Sequence, residues 1–194
     1  MTRETDKDRL HSQELLKRAQ GYHHRNSLPR EEYEALMAMG SELANPVKYD
    51  AQFFVLGSYN PNEKPKLEYL KTEANSWPGV NCRAYLMEDL ADDLHPMVQF
   101  RVIADYSDSI IAICEHDQGG FQLELGMLLA LSEYQDRFHL LKRSYSDTVE
   151  REKYNWMLDA GAFDLFDYQD RLHEWRDSAE FKAEVDTLLT DLLE

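Results

Sequence analysis

The run Ile110-Ile111-Ala112-Ile113-Cys114 constrains this 194-residue chain more than any other feature. It holds three of the four isoleucines, Ile103 being the other. A short, continuous, β-branched apolar run between polar residues reads as a strand buried on both faces. Glu115–Gln118 follows as a polar turn and Gly119-Gly120 loosens the backbone. Phe121, Leu125, Leu128 and Leu129 then recur at helical spacing.

That strand–turn–helix unit recurs from Asp50 onward. Strands are predicted over Phe53–Leu56, Cys82–Met87, Ile110–Cys114 and Phe138–Leu141, with a fifth over Phe163–Tyr168. Helices are predicted over Lys66–Ala74, Pro96–Tyr106, Phe121–Tyr134 and Asp147–Leu158, the last broken by Gly161. A final amphipathic helix carries Phe181, Val185, Leu188, Leu189 and Leu192. The Asp147/Glu150 and Asp177/Glu180 spacings are capping boxes. Alternating β–α units of this length imply an α/β fold, a Rossmann-like doubly wound parallel sheet of about five strands.

The first 46 residues differ. Leu10, Leu15, Leu16 and Ala19 lie in a charged background over residues 4–21, which predicts a helix ending near Gly21. Ser27 and Pro29 start a second helix that Asn45-Pro46 ends. The expected organisation is an N-terminal helical hairpin over 1–46 and a Rossmann-like domain over 47–194 closed by a C-terminal helix. The hairpin packs on the main domain or serves a homo-oligomer interface, with packing the simpler reading.

Charge limits the partners. With 37 acidic and 21 basic residues the formal net charge is −16, which argues against nucleic acid, whose binding needs clustered cations. An acidic surface, scarce isoleucine and arginine outnumbering lysine fit a salt-adapted proteome; an ordinary acidic cytosolic protein is the alternative. No apolar run approaches the roughly 20 residues that span a bilayer. The charged start MTRETDKDRL shows no signal peptide, so a cytoplasmic protein with no membrane partner is expected. Cys82 and Cys114, each in a predicted strand, read as buried free thiols. The absence of CxxC spacing predicts no metal site, and no cofactor is called for.

One residue breaks the pattern. At about 100° per residue, Glu124 falls between Leu128 and Leu131 on the apolar face of its helix. A carboxylate there is costly to bury unless something pairs with it or uses it. A capping role would need Phe121 as N-cap, and an ion pair to Arg101, Lys142 or Arg143 is the other structural reading. Ligands in such folds bind beyond the C-terminal ends of the strands, which nominates Gly57–Asn62, Glu88–Asp93 and Glu115–Gly120. In the first loop, Gly57 allows close approach, Ser58 and Asn60 offer hydrogen bonds, and Tyr59 lies between them. A plain turn built on Asn60-Pro61 accounts for the same residues. Glu88 or Asp89 can orient a sugar hydroxyl, or simply belong to a solvated acidic loop. Gly119 and Gly120 leave room at a helix start, where free N–H groups receive anions or hydroxyls. His116 beside Cys114, Glu115 and Asp117 reads as an accidental cluster, because neighbours in a strand point to opposite faces.

A strand entered from Asp108, then Asp117-x-Gly119, then Glu124-Leu125-Gly126 leading an apolar helix, resembles the nucleoside 2-deoxyribosyltransferase group. That group sits among Rossmann-like folds that include TIR-like NAD-cleaving domains and nucleotide-sensing SLOG domains. Phe54-Val55-Leu56-Gly57 is similar to the group's opening strand and glycine loop, and the resemblance covers roughly residues 51–143. It implies that Glu124 is a nucleophile attacking an anomeric carbon, with Asp117 matching an acid that orients or protonates, and a nucleoside- or nucleotide-like partner; Asp105, nearby but not at the matching position, is the alternative assisting acid, and Gly57–Asn60 and Gly119-Gly120 would form the cradle. The implied reaction is cleavage or transfer at an N-glycosidic bond of a nucleoside, nucleotide or NAD-like substrate. The Asp117-to-Glu124 interval is one residue longer than in the transferases, and Phe100 and Arg101 stand where they carry a further acid. Arg101 suits a phosphorylated ligand, so a non-catalytic sensor of a nucleotide-derived ligand stays open, as does an interaction protein on the same fold.

Overall fold

The computed structural model describes residues 31, 34, 35, 49–89, 96–117, 121–155 and 158–194. The predicted hairpin lies outside the described residues apart from Glu31, Glu34 and Ala35, which are helical.

Five strands form one parallel sheet: β1 (Ala51–Leu56), β2 (Cys82–Tyr85), β3 (Ser109–Cys114), β4 (Phe138–Arg143) and β5 (Leu172–Trp175), in the order β2-β1-β3-β4-β5. The isoleucine run is the centre of this sheet, and every residue of β3 is buried. Phe54 pairs with Ile110, Ile111 with His139, and Leu141 with His173. Seven α-helices lie among the described residues: α1 (Lys64–Asn75), α2 (Pro96–Tyr106), α3 (Phe121–Ala130), α4 (Ser132–Gln135), α5 (Asp147–Lys153), α6 (Asp164–Tyr168) and α7 (Ser178–Leu193). A 3-10 turn spans Met87–Asp89 and a π-helical segment Leu158–Phe163.

Alternation along the strands splits the side chains between two faces. Phe53, Val55, Ile111, Ile113, Leu141 and Trp175 point to one face, where Leu67 and Leu70 of α1 and Phe181, Val185, Leu188 and Leu189 of α7 cover them. Each fully buried side chain of this size contributes about 1.5–3 kcal/mol of transfer free energy. On the other face Phe138 of β4 meets Phe166 of α6 edge-on, with ring centroids 4.8 Å apart. Helices therefore cover both faces, as a doubly wound sheet requires. The Asp177 cap forms as its spacing predicts: Oδ1 accepts the N–H groups of Ala179 (2.8 Å) and Glu180 (3.0 Å), while Glu180 reaches back to the Arg176 N–H.

The chain divides into two compact units, residues 1–48 with 87–106, and residues 49–86 with 107–194. The second unit contains the whole sheet. The first contains α2, in which Gln99 Nε2 donates to the Met87 carbonyl oxygen at 2.6 Å.

Four element predictions need correction. The segment Phe163–Tyr168 is helical, and the fifth strand is Leu172–Trp175. Phe163 and Phe166, three apart, are both buried while Asp164, Leu165, Asp167 and Tyr168 are exposed, a helical period. Leu-His-Glu-Trp was passed over because the sheet's edge needs only Trp175 fully buried. The predicted helix over Phe121–Tyr134 is two helices broken at Leu131, whose backbone is extended. The helix from Asp147 ends at Lys153, where Tyr154 turns extended, and Gly161 lies inside the π segment rather than ending a helix. The expected Asp147/Glu150 capping box does not form: Ser146 is the N-cap without a side-chain cap, and Glu150 instead accepts the N–H of Tyr145 at 2.6 Å.

Candidate functional site

The strand order places β2 on one side of β1 and β3 on the other, so the chain's winding reverses between β1 and β3. Folds of this strand order take ligands beyond the C-terminal ends of the strands beside such a reversal. Glu115–Asp117 ends β3 at this point, and α1 starts opposite it.

The residues beyond β3 are all tied. Glu115 is 7% exposed. Its carboxylate lies 2.6 Å from Lys66 Nζ of α1 and 2.9 Å from the Arg143 guanidinium at the end of β4. Both cations also face the Trp175 ring, at 5.4 and 5.3 Å. His116 Nε2 lies 3.0 Å from both carboxylate oxygens of Glu63. Asp117 receives a hydrogen bond from Asn155 Nδ2 at 2.9 Å, and its N–H donates to the Lys153 carbonyl. The Tyr154 hydroxyl sits between the carbonyl oxygens of Cys114 (3.0 Å) and Arg143 (2.8 Å), and the Tyr145 hydroxyl donates to the Glu115 carbonyl at 2.9 Å. What read as an accidental cluster at 114–117 is the clamp that joins β3 to α1, β4 and the segment after α5.

Glu63, Lys66, Arg143, Tyr145, Tyr154 and Asn155 of this clamp were not singled out from the sequence as functional. The available signal was the pairing of Glu115 with Lys142-Arg143 at the ends of adjacent strands. Arg143 takes it, while Lys142 turns to Glu150 (2.6 Å) and Glu174 (3.1 Å).

The loop after β1 is a turn held by its own side chains. Ser58 Oγ accepts the Asn60 N–H and Asn60 Oδ1 accepts the Asn62 N–H, at 3.2 and 3.3 Å. Gly57 is buried, and a Cβ there would stand 2.7 Å from Leu67 Cδ2 and 3.0 Å from the Ile113 carbonyl oxygen. Close packing of this turn against β3 is sufficient reason for the glycine. Tyr59 is at the surface. These observations favour the turn reading of Gly57–Asn60 over the cradle.

Glu88 and Asp89 are exposed on the 3-10 turn. In α2, Arg101 Nε and the Asp105 carboxylate form an i,i+4 ion pair at 3.3 Å, with the Asp105 side chain 1% exposed. Each therefore has a partner within its own helix, which explains both without a ligand. Gly119 and Gly120 lie outside the described residues.

Glu124 stands apart. It is half-buried near the start of α3. Burial pushes its carboxyl up from 4.5 to about 7. Among the described residues of its own unit no hydrogen bond or ion pair reaches it, so the ion pairs to Lys142 or Arg143 considered from sequence do not form; Arg101 pairs with Asp105. Desolvation is the cause of the rise. A carboxyl poised near neutrality and unmatched by a cation can give, take or share a proton.

The all-parallel sheet and the reversal at β1/β3 define an α/β protein of flavodoxin-like strand order. The chain belongs to DUF8170, a family of unknown function whose profile matches residues 18–155. No curated protein matches it. Among solved structures, the rubredoxin oxygen:oxidoreductase of the anaerobe Desulfovibrio gigas is similar at 9% identity with a TM-score of 0.42, over 93% of this chain and 49% of that one. The chain thus spans about half the length of that structure. Among the described residues no helix is long and apolar enough to cross a membrane.

Proposed function

We propose that this protein cleaves or transfers an N-glycosidic bond of a nucleoside, nucleotide or NAD-like substrate, with Glu124 as the reacting carboxyl. The observation that carries this reading is the half-buried Glu124, which has no hydrogen bond or ion pair among the described residues and whose carboxyl is raised to about 7. At neutral pH a large fraction is ionised. That fraction attacks the anomeric carbon as the carbon–nitrogen bond breaks, and the base leaves with the bonding pair and takes up a proton. Water or the ring nitrogen of a second base then displaces Glu124, gives its proton to the assisting acid that had protonated the leaving base, and regenerates the Glu124 carboxylate. Asp117, oriented by Asn155, is the assisting acid. Asp105 leaves this scheme because Arg101 engages it.

The test is release of free base from deoxynucleosides, nucleotides and NAD, comparing wild type with Glu124→Gln. Loss of 100-fold or more in the variant is expected. Equal rates would remove Glu124 from the chemistry.

A second reading draws on the same raised pKa. Protonated Glu124 can donate a hydrogen bond to a bound nucleotide-derived ligand without attacking it. Stabilisation by such a ligand in a thermal-shift screen, with no base released, would favour this sensor.

A further inference from the structure

An open groove of about 460 Å3 runs between α3 and the π-helical segment. Leu125 and Leu129 of α3 form one wall; Leu158, Ala162 and Leu165 form the other. The apolar surface continues onto α6, where Leu165 is 37% and Tyr168 86% exposed. Gly126 and Gly161 also line the groove, and a Cβ on either would meet nothing within 4 Å. Asp164, Asp167 and Asp170 are exposed beside it.

We propose that this groove is a docking site for an apolar helix of a partner protein whose flanks carry lysine or arginine. Each wall is a stripe of residues about one helical turn apart, the pattern that a third helix packs against by setting its ridge between two others. The two glycines leave space for that helix to approach the backbone closely. Exposed apolar surface rimmed by polar residues marks an interaction site in a soluble chain, and a helix laid in a groove is a recurrent way of filling one. Charge selects the occupant. The rim is acidic and the chain carries −16, so a basic helix is attracted, whereas a second copy would bring acid against acid. A small molecule in the groove would leave Tyr168 uncovered.

The groove does not share its side chains with Glu124. At about 100° per residue, Gly126 lies roughly 200° around α3 from Glu124; Asn155, which orients Asp117, also lines the groove, so the test varies Gly126 and leaves Asn155 in place.

The experiment uses a fluorescein-labelled peptide of leucine and lysine at helical spacing, with a leucine–glutamate peptide of the same pattern as control, followed by anisotropy. Wild type should bind the leucine–lysine peptide and not the control. Gly126→Leu fills the groove without changing charge and should weaken binding at least tenfold. Gly161→Leu and Leu165→Glu serve as second and third variants should Gly126→Leu fail to fold, which thermal unfolding reports. Leu165→Glu adds negative charge, so stronger binding by that variant would mean simple attraction and overturn the proposal. It is also overturned if wild type fails to bind, if Gly126→Leu binds as well as wild type, or if the control binds equally. A dimer detected by light scattering that Gly126→Leu dissolves would assign the groove to a second copy instead.

Discussion

Replacing Glu124 by glutamine should stabilise the protein, and the gain should depend on pH in a defined way. The carboxyl titrates at about 7 when folded, against 4.5 as its ordinary value. Between those values the folded chain keeps a proton that the unfolded chain has lost. The unfolded state binds fewer protons, so stability falls as pH rises. The favourable contribution is full below 4.5 and gone above about 7. At about 1.4 kcal/mol per pH unit, that window is worth up to about 3 kcal/mol. Glutamine has nearly the same shape and does not titrate. Its variant should therefore track wild type at pH 4.5 and exceed it by about 2–3 kcal/mol at pH 8. Urea unfolding of both proteins at pH 4.5, 5.5, 6.5 and 8 reads the difference directly, because every other titrating group cancels. A difference independent of pH, or a variant less stable at pH 8, would mean that the ionised carboxylate has a partner, and the catalytic reading would lose its basis.

Two further outcomes concern the other ionisable groups. His139 and His173 sit on adjacent strands with ring centroids 5.8 Å apart, and burial pushes His139 down to about 4 and lowers His173. Asp191 pulls His173 the other way, and Arg171 adds to the fall at His139. Because the folded values are depressed, their contribution is full above about 6.5 and lost as pH falls, for His139 towards about 4. His139→Phe should flatten that acid limb by roughly 2–3 kcal/mol in unfolding titrations, and an unchanged limb would refute it. Glu115→Ala should leave Lys66 and Arg143 facing each other over Trp175, costing about 3–5 kcal/mol for a fully buried pair and less here, since Arg143 is partly exposed. A loss below about 0.5 kcal/mol by chemical denaturation would show that the clamp carries no stability.

The sheet was legible because its central strands carry nothing but apolar residues in short runs, and only a two-sided environment tolerates that. The edge was not legible. β5 exposes Glu174 and half-buries two histidines, so no apolar run marks it, while Phe163–Tyr168 supplies aromatic residues that mimic a strand. The break at Leu131 escaped for a similar reason. Leucine suits a helix, and no glycine or proline announces the turn. In the site, the anomaly of Glu124 was visible from helical spacing alone, because an acid among leucines is rare on an inward face. The clamp was not visible. Glu115 meets Lys66 and Arg143 only after three separate β–α units have aligned their ends, information that no local window contains. Arg101 and Asp105 were misread in the opposite sense: their i,i+4 spacing already offered an ion pair.

Glu115 and Glu124 sharpen each other's interpretation. Both are acids withdrawn from water, nine residues apart, at the same end of the sheet's central β–α unit. A buried carboxylate kept for structure must be matched, since removing its hydration costs several kcal/mol. Glu115 is matched twice, by Lys66 and Arg143, and its strand end is pinned by Tyr145 and Tyr154. The fold therefore has the means to pair an inward acid here. Glu124 has been left without a cation among the described residues, and its carboxyl answers by holding its proton up to about 7. A destabilising acid that a glutamine or leucine would relieve persists only if its proton or its charge is used. The contrast with a neighbour that is fully compensated makes use, rather than imperfect packing, the economical explanation for Glu124.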